Sequence, residues 1–139
     1  MNSDQVGTLT EQQCITYIIG RWFNVSVPVV KDKYDFILDY KGKLLKVQTK
    51  TSRVKGNSIL FNGFSSTRFK GKRKEHYYTK DDIDFYITFY NNMCYLVPVG
   101  EVSKQKRLWF APPKNGYTRG VCMLNDYEFE IQLSKLDTD

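Results

Sequence analysis

The chain opens on a helical period and then turns to alternation. In "TLTEQQCITYIIGRWFN" (8–24), Ile15, Ile18, Ile19, Trp22 and Phe23 recur at the i, i+3, i+4, i+7, i+8 spacing of one helix face. This predicts a helix opened by a capping box, Thr8 with Glu11 or Thr10 with Gln13. Glu11 precedes Ile15 by four and Ile18 by seven, so it points along the apolar stripe rather than away from it. Two roles are open to it: a carboxylate favoured by the positive end of the helix, or a functional acid.

After that, period two takes over. "NVSVPVV" (24–30) reads as extended, with Pro28 restricting it to a strand end or an edge. "YDFILDYKGKLLKVQTKTSR" (34–53) reads as two strands about a Lys41-Gly42 turn, which sets Tyr40 against Lys43 and Asp35 across from Gln48. Asp35, Ile37 and Asp39 then share a face with Leu44, Lys46, Gln48 and Lys50, while Phe36, Leu38, Leu45 and Val47 form the core face. "DFYITFYNNMCYLVPV" (84–99) is a second hairpin about Asn91-Asn92, apolar enough for a central position. Residues 51–80 are expected to be mostly loop with a strand near "SILF", "GEVSKQKRL" a short helix, "APPKNGYTRG" a loop, and "DYEFEIQL" a strand or a helix. No repeat or linker divides the chain. The expectation is one α/β (α+β) domain over 1–139, a mixed central sheet flanked by helices.

Charge changes this picture more than length does. The net charge is +6 with a pI near 9.2, and it is not spread evenly. Between Lys50 and Lys80 nine basic residues face Glu75 alone, so the remainder of the chain is slightly acidic. Such a segment predicts a polyanionic partner. Arg53, Lys55, Arg68, Lys70, Lys72, Arg73 and Lys74 are interleaved with Phe64, Phe69, Tyr77 and Tyr78. Lysines there suit phosphates and arginines suit guanine edges, with Asn57, Asn62, Thr67 and His76 as further candidate readers. Charge runs are more often solvated loops, so this segment alone does not establish a DNA partner. Trp22 and Trp109 are expected in the core or an interface.

Several classes are excluded. His76 is the single histidine, so Ser-His-Asp, Cys-His, HExxH and His-rich metal sites lack their parts. Cys14, Cys94 and Cys122 are odd in number and form no CxxC, which predicts reduced thiols. No apolar run approaches a membrane span, and no signal pattern opens the sequence, so an intracellular, cytoplasmic protein is expected.

The opening hairpin carries the chemistry. A carboxylate, a polar group opposite it and a lysine two residues on suit metal-assisted phosphodiester hydrolysis. Asp35 can ligate Mg²⁺, with the Gln48 amide and the Thr49 carbonyl adding oxygen ligands. Lys50 on the same side can position or deprotonate the attacking water and balance phosphate charge. Any hairpin can carry an acid and a lysine as an ordinary surface pair, so the spacing alone leaves that reading ahead.

The order of helix with Glu11, "VPVV", the hairpin ending "KVQTKTSR", a basic segment and "DDIDFYITFYNNMCYLVPV" resembles the PD-(D/E)XK nuclease superfamily. Within it the likeness is to the small homing endonucleases of bacterial group I introns, from about Glu11 to Val99. The resemblance implies a restriction-endonuclease-like fold, Mg²⁺-dependent cleavage of double-stranded DNA, a core of Glu11, Asp35, Gln48 and Lys50, and a homo-oligomer, dimer or tetramer. Two positions depart from the superfamily pattern. Tyr34 replaces the proline, which has no chemical role. Gln48 replaces an acid, as in the homing subgroup, and the lost charge leaves Glu11 to compensate at the metal. A structure-specific nuclease such as a junction resolvase, a non-catalytic DNA-binding module with a decayed site, and an interaction protein with incidental charge are the competing readings.

Overall fold

A computed structural model describes residues 1–137. Helix α1 runs Ser3–Gly20, five residues earlier than the apolar stripe announces. Its cap is Asn2, whose side chain accepts the Gln5 N–H at 2.9 Å while the Gln5 side chain takes the Asn2 N–H at 2.9 Å. Neither predicted capping box forms, and Thr8, Thr10 and Glu11 lie inside the helix. The buried face is also rotated from the expected one: Thr10, Cys14, Tyr17 and Ile18 are buried, whereas Ile19 and Trp22 are exposed. The helix ends before the stripe does. Arg21 caps it, and Trp22, at φ 69°, turns the chain away and leaves its ring 94% exposed.

The strands are β1 (Asn24–Ser26), β2 (Phe36–Tyr40), β3 (Lys43–Thr49), β4 (Arg53–Lys55), β5 (Ser58–Asn62), β6 (Phe64–Phe69), β7 (Lys72–Tyr77), β8 (Phe85–Tyr90), β9 (Met93–Pro98) and β10 (Gln105–Trp109). A five-stranded sheet has the order β1-β2-β3-β8-β9, with β3 and β8 parallel and the other neighbours antiparallel, so it is mixed as expected. The β2–β3 register is the predicted one, Phe36 opposite Val47 and Tyr40 opposite Lys43. Lys41 (φ 51°) and Gly42 (φ 86°) both take the left-handed conformation that a two-residue hairpin of this twist requires. Asp39 supports that weak turn by accepting the Gly42 N–H at 3.0 Å.

The faces of the sheet are covered differently. On one, α1 and a short helix α2 (Phe129–Ser134) pack on Phe36, Leu38, Val47, Ile87 and Leu96, with Tyr17 and Phe129 edge to face at 5.8 Å. Cys14 and Cys94 meet in this layer as free thiols; their mutual contact and burial push the Cys14 thiol up, away from reactivity. The other face of β8 and β9 meets a second sheet, β10-β5-β4, through Ile59, Phe61, Tyr86, Val97 and Leu108. The expected helix at 100–108 is therefore a short 3₁₀ turn (Val99–Glu101) followed by β10. There Lys106 is buried along with Leu108, its ammonium 3.7 Å from Glu101, so an inward lysine disguised the alternation. "DYEFEIQL" resolves into a 3₁₀ turn (Leu124–Tyr127) and α2.

Residues 51–80 hold four strands rather than mostly loop. The β6–β7 pair forms its own two-stranded sheet around Lys70 (φ 52°) and Gly71 (φ 77°), the same turn chemistry as Lys41-Gly42. From Ser66 onward its residues are exposed save Glu75, so no core face marks it in the sequence. Among the described residues no helix is long and apolar enough to cross a membrane.

Gly63 joins β5 to this ribbon. Its N–H donates to the Lys104 carbonyl at 2.9 Å, and a Cβ added there would stand 2.5 Å from Val102 Cγ1 and 2.6 Å from the Ser103 carbonyl oxygen. One of the two neighbours is backbone and cannot rotate away. Gly63→Ala is accordingly expected to lower the urea midpoint of unfolding, by roughly 1–3 kcal/mol of stability as for other overpacked sites; an unchanged midpoint would show that the junction is not tight.

Candidate active site

Where β2 and β3 part company, the hairpin opens into a cleft of about 980 Å³ lined by α1 (Gly7, Thr8, Glu11), the loop before β2, the end of β3 and the root of the ribbon. Asp35, Gln48, Thr49, Lys50 and Glu11 all line it. The structure thus brings residues 35, 48 and 50 of the hairpin and Glu11 of the helix to the same cleft.

Main chain holds Asp35 from two sides. Its N–H donates to the Val47 carbonyl at 2.9 Å, and its Oδ2 accepts the Thr49 N–H at 2.8 Å, closing the end of the ladder with a side chain. The Thr49 side chain, beside the same carboxylate, also favours its ionised form. Burial pushes the Asp35 carboxyl above the usual carboxylate range, against the opposing pull of the Thr49 N–H and of the Lys50 charge. Glu11 is raised as well, by burial first and then by the negative charge of Asp35. Two half-buried acids that disfavour each other's ionisation are a site short of positive charge. Such a pair suits a hard cation.

The donor set agrees with that. Among the described residues no three of His, Cys, Asp and Glu converge; of the four carboxylates that line the cleft, Asp4, Glu11, Asp32 and Asp35, it is Glu11 and Asp35 that feel each other's charge, and Gln48 adds a neutral amide. All are oxygen donors, the chemistry of Mg²⁺ with several retained waters rather than of zinc. The Thr49 side-chain oxygen, buried at the same place, forms no hydrogen bond of good geometry among the described residues.

Lys50 continues β3 beyond its last paired residue, its N–H donating to the Ile87 carbonyl at 2.9 Å. Its ammonium donates to the Phe64 carbonyl at 2.8 Å and lies 5.5 Å from the centre of the Tyr78 ring. Burial holds its pKa below the ordinary lysine range, partly countered by Asp35.

Some residues of the cleft were not legible in the sequence. Thr10 is buried and shares a 2.8 Å hydrogen bond with Thr51, the two neighbours in sequence of Glu11 and Lys50. Because Thr10 Oγ1 also donates to the Val6 carbonyl at 3.0 Å, Thr51 is the donor in that bond, and it fixes the helix to the end of β3 beside both charged groups. Lys31 also lines the cleft and favours the ionised form of Asp35. A threonine hydrogen-bonded across 41 residues leaves no local pattern.

The basic residues divide by strand parity. On the ribbon, Ser65, Thr67, Phe69, Lys72, Lys74 and His76 share one face, and Ser65 and Thr67 of that face line the cleft together with Ser66 of the other. His76 Nε2 lies 3.1 Å from the Thr67 hydroxyl across it. Arg68, Arg73, Glu75, Phe64 and Tyr77 share the other, where Arg73 sits 3.4 Å from Glu75 and over the Phe64 ring. Lys70 is at the tip, and Arg53 and Lys55 are exposed on β4, in the other small sheet.

The fold and this cleft place the chain in a known class. A model of the PD-(D/E)XK endonuclease family matches residues 1–130, and the chain belongs to that family. Among solved structures it is similar to a bacterial homing endonuclease, I-Ssp6803I, with a TM-score of 0.78 and 19% identity, covering 100% of this chain and 98% of the other. At that identity the likeness is one of fold. No curated protein sequence matches the chain significantly.

The raised carboxyls carry a sign. In metal-free protein, Glu11 and Asp35 bind protons more tightly folded than unfolded, so their contribution to stability is fully present below the ordinary carboxylate pKa of about 4 and is lost as pH rises from there through the raised folded values. With chelator present, Glu11→Gln with Asp35→Asn should flatten that part of the stability–pH curve measured by chemical denaturation. A double variant with the wild-type slope would mean that these acids ionise freely.

Proposed function

We propose that the protein is a Mg²⁺-dependent, site-specific double-strand DNA endonuclease of the homing type. The observation that carries this reading is the convergence of Glu11, Asp35, Gln48 and Lys50 in one cleft of a PD-(D/E)XK fold, with an exposed basic ribbon rooted at its edge. Glu11, Asp35 Oδ1, the Gln48 amide oxygen and the Thr49 carbonyl are the groups that would hold the ion. When bound, such an ion polarises the scissile phosphate and lowers the pKa of its water.

The rest falls to the chain. Lys50 meets a phosphate oxygen as an ammonium, or accepts the proton of the attacking water as a neutral amine, a choice brought within reach by its depressed pKa. Lys31 adds positive charge on the facing lip. The two-stranded ribbon has the width to enter a major groove, where Lys72, Lys74 and His76 would meet phosphates and base edges while Arg68, Lys70 and Arg73 flank them; Arg53 and Lys55 extend the basic surface on β4. Each chain has one cleft, so cutting both strands calls for at least a homodimer, and a tetramer is two such units.

Purified protein incubated with Mg²⁺ and a randomised plasmid library, with the resulting ends sequenced, should yield duplex breaks at one recurrent site. Lys50→Ala and Asp35→Asn should each lower single-turnover cleavage by ~10²–10⁴-fold, in the range of lost acid–base catalysis, while DNA binding in chelator persists. Mg²⁺ should raise the thermal midpoint of the wild type and not of Asp35→Asn. Preferential cutting of branched DNA would move the assignment to a structure-specific nuclease. Salt-sensitive binding with no product in any metal would leave a binding module.

A further inference from the structure

Among the described residues, Lys50 has no ion-pair partner within salt-bridge distance, although it faces Asp35. A four-carbon stem with a point charge does not hold one position unaided. Two groups hold this one, and they come from the two strands of the ribbon at its root. Phe64, which accepts from Nζ at 2.8 Å, opens β6. Tyr78, whose ring centre lies 5.5 Å from Nζ, directly follows β7.

Tyr78 is itself fixed by the same junction. Its ring meets Tyr86 edge to face, at 5.9 Å and 90°, and the Tyr86 hydroxyl donates to the Gly63 carbonyl at 2.8 Å. That carbonyl neighbours the one Lys50 uses. Gly63 is in turn pinned against Val102 and Ser103. The ring and the acceptor therefore keep one spacing, and the ammonium sits between them at the wall of the cleft. We propose that Tyr78 is the positioning residue of Lys50, its ring face and the Phe64 carbonyl together placing the amine beside Asp35 so that the seating of the ribbon sets the seating of the lysine. This rests on the nuclease reading for its purpose, though not for its geometry.

The experiment has two arms. In the first, NMR of the free protein follows the Lys50 side-chain Hε and Nζ signals in wild type, Tyr78→Phe and Tyr78→Leu. A ring-current displacement of Lys50 that is present in wild type and Tyr78→Phe and lost in Tyr78→Leu is expected. Identical Lys50 signals in wild type and Tyr78→Leu would overturn the proposal, whether or not the protein cuts DNA. In the second, position 78 carries phenylalanines of increasing fluorine content, which keep the ring's shape while weakening its negative face. Cleavage should fall progressively, to about tenfold below Tyr78→Phe at full fluorination, with DNA affinity in chelator unchanged. A flat series would reduce Tyr78 to packing. If wild type itself fails to cut, the nuclease reading fails and the first arm still decides whether Tyr78 places the lysine.

Discussion

The 2.8 Å bond from the Thr49 N–H to Asp35 Oδ2 is the point on which the rest turns. It substitutes a carboxylate for a main-chain acceptor where the β2–β3 ladder opens, so one side chain both ends the pairing and enters the cleft. Its position depends on register, since a slip by one residue would send Gln48 and Lys50 to the helix-covered face and Phe36 and Val47 to solvent. Phe36 and Val47 are fully buried, and their packing opposes that slip. The hydrophobic face thereby specifies where the polar groups stand.

The site is charged against its own stability. Burial raises both acids and lowers the lysine, so the charged form of each of the three groups is made more costly by its setting. A protein selected only to fold would place apolar or neutral side chains there. Groups kept in such a setting despite its cost are characteristic of catalytic clefts, and here three of them line the same one.

What could be read from the sequence followed the strength of each local signal. The two hairpins with a core face, 36–49 and 85–98, were legible because alternation and turn chemistry agree there, the first of them down to its register; Asp35, Gln48 and Lys50 followed from that hairpin, and Glu11 from the helix. The ribbon was not, because both its faces are polar and alternation without an apolar half looks like loop. Strand β10 was missed for the opposite reason: Lys106 points inward and breaks the pattern. The helix was found but its cap and buried face were misplaced, since Trp22 and Ile19 are exposed and tertiary contacts chose Cys14 and Tyr17 instead. Thr10, Thr51 and Tyr78 act through partners distant in sequence, and no window of neighbours contains that information.

Gly63 marks a suture between two parts with different duties. Behind it lies a scaffold whose hydrophobic interior tolerates little revision; beyond it lies a self-paired strip with almost no interior at all. Substitutions from Ser66 to His76 should therefore accumulate without loss of folding, and a strip of other composition grafted between residues 64 and 77 would inherit the machinery intact. On the proposed function, acquiring a new target would be a matter of rewriting some dozen surface positions, with the cleft left alone.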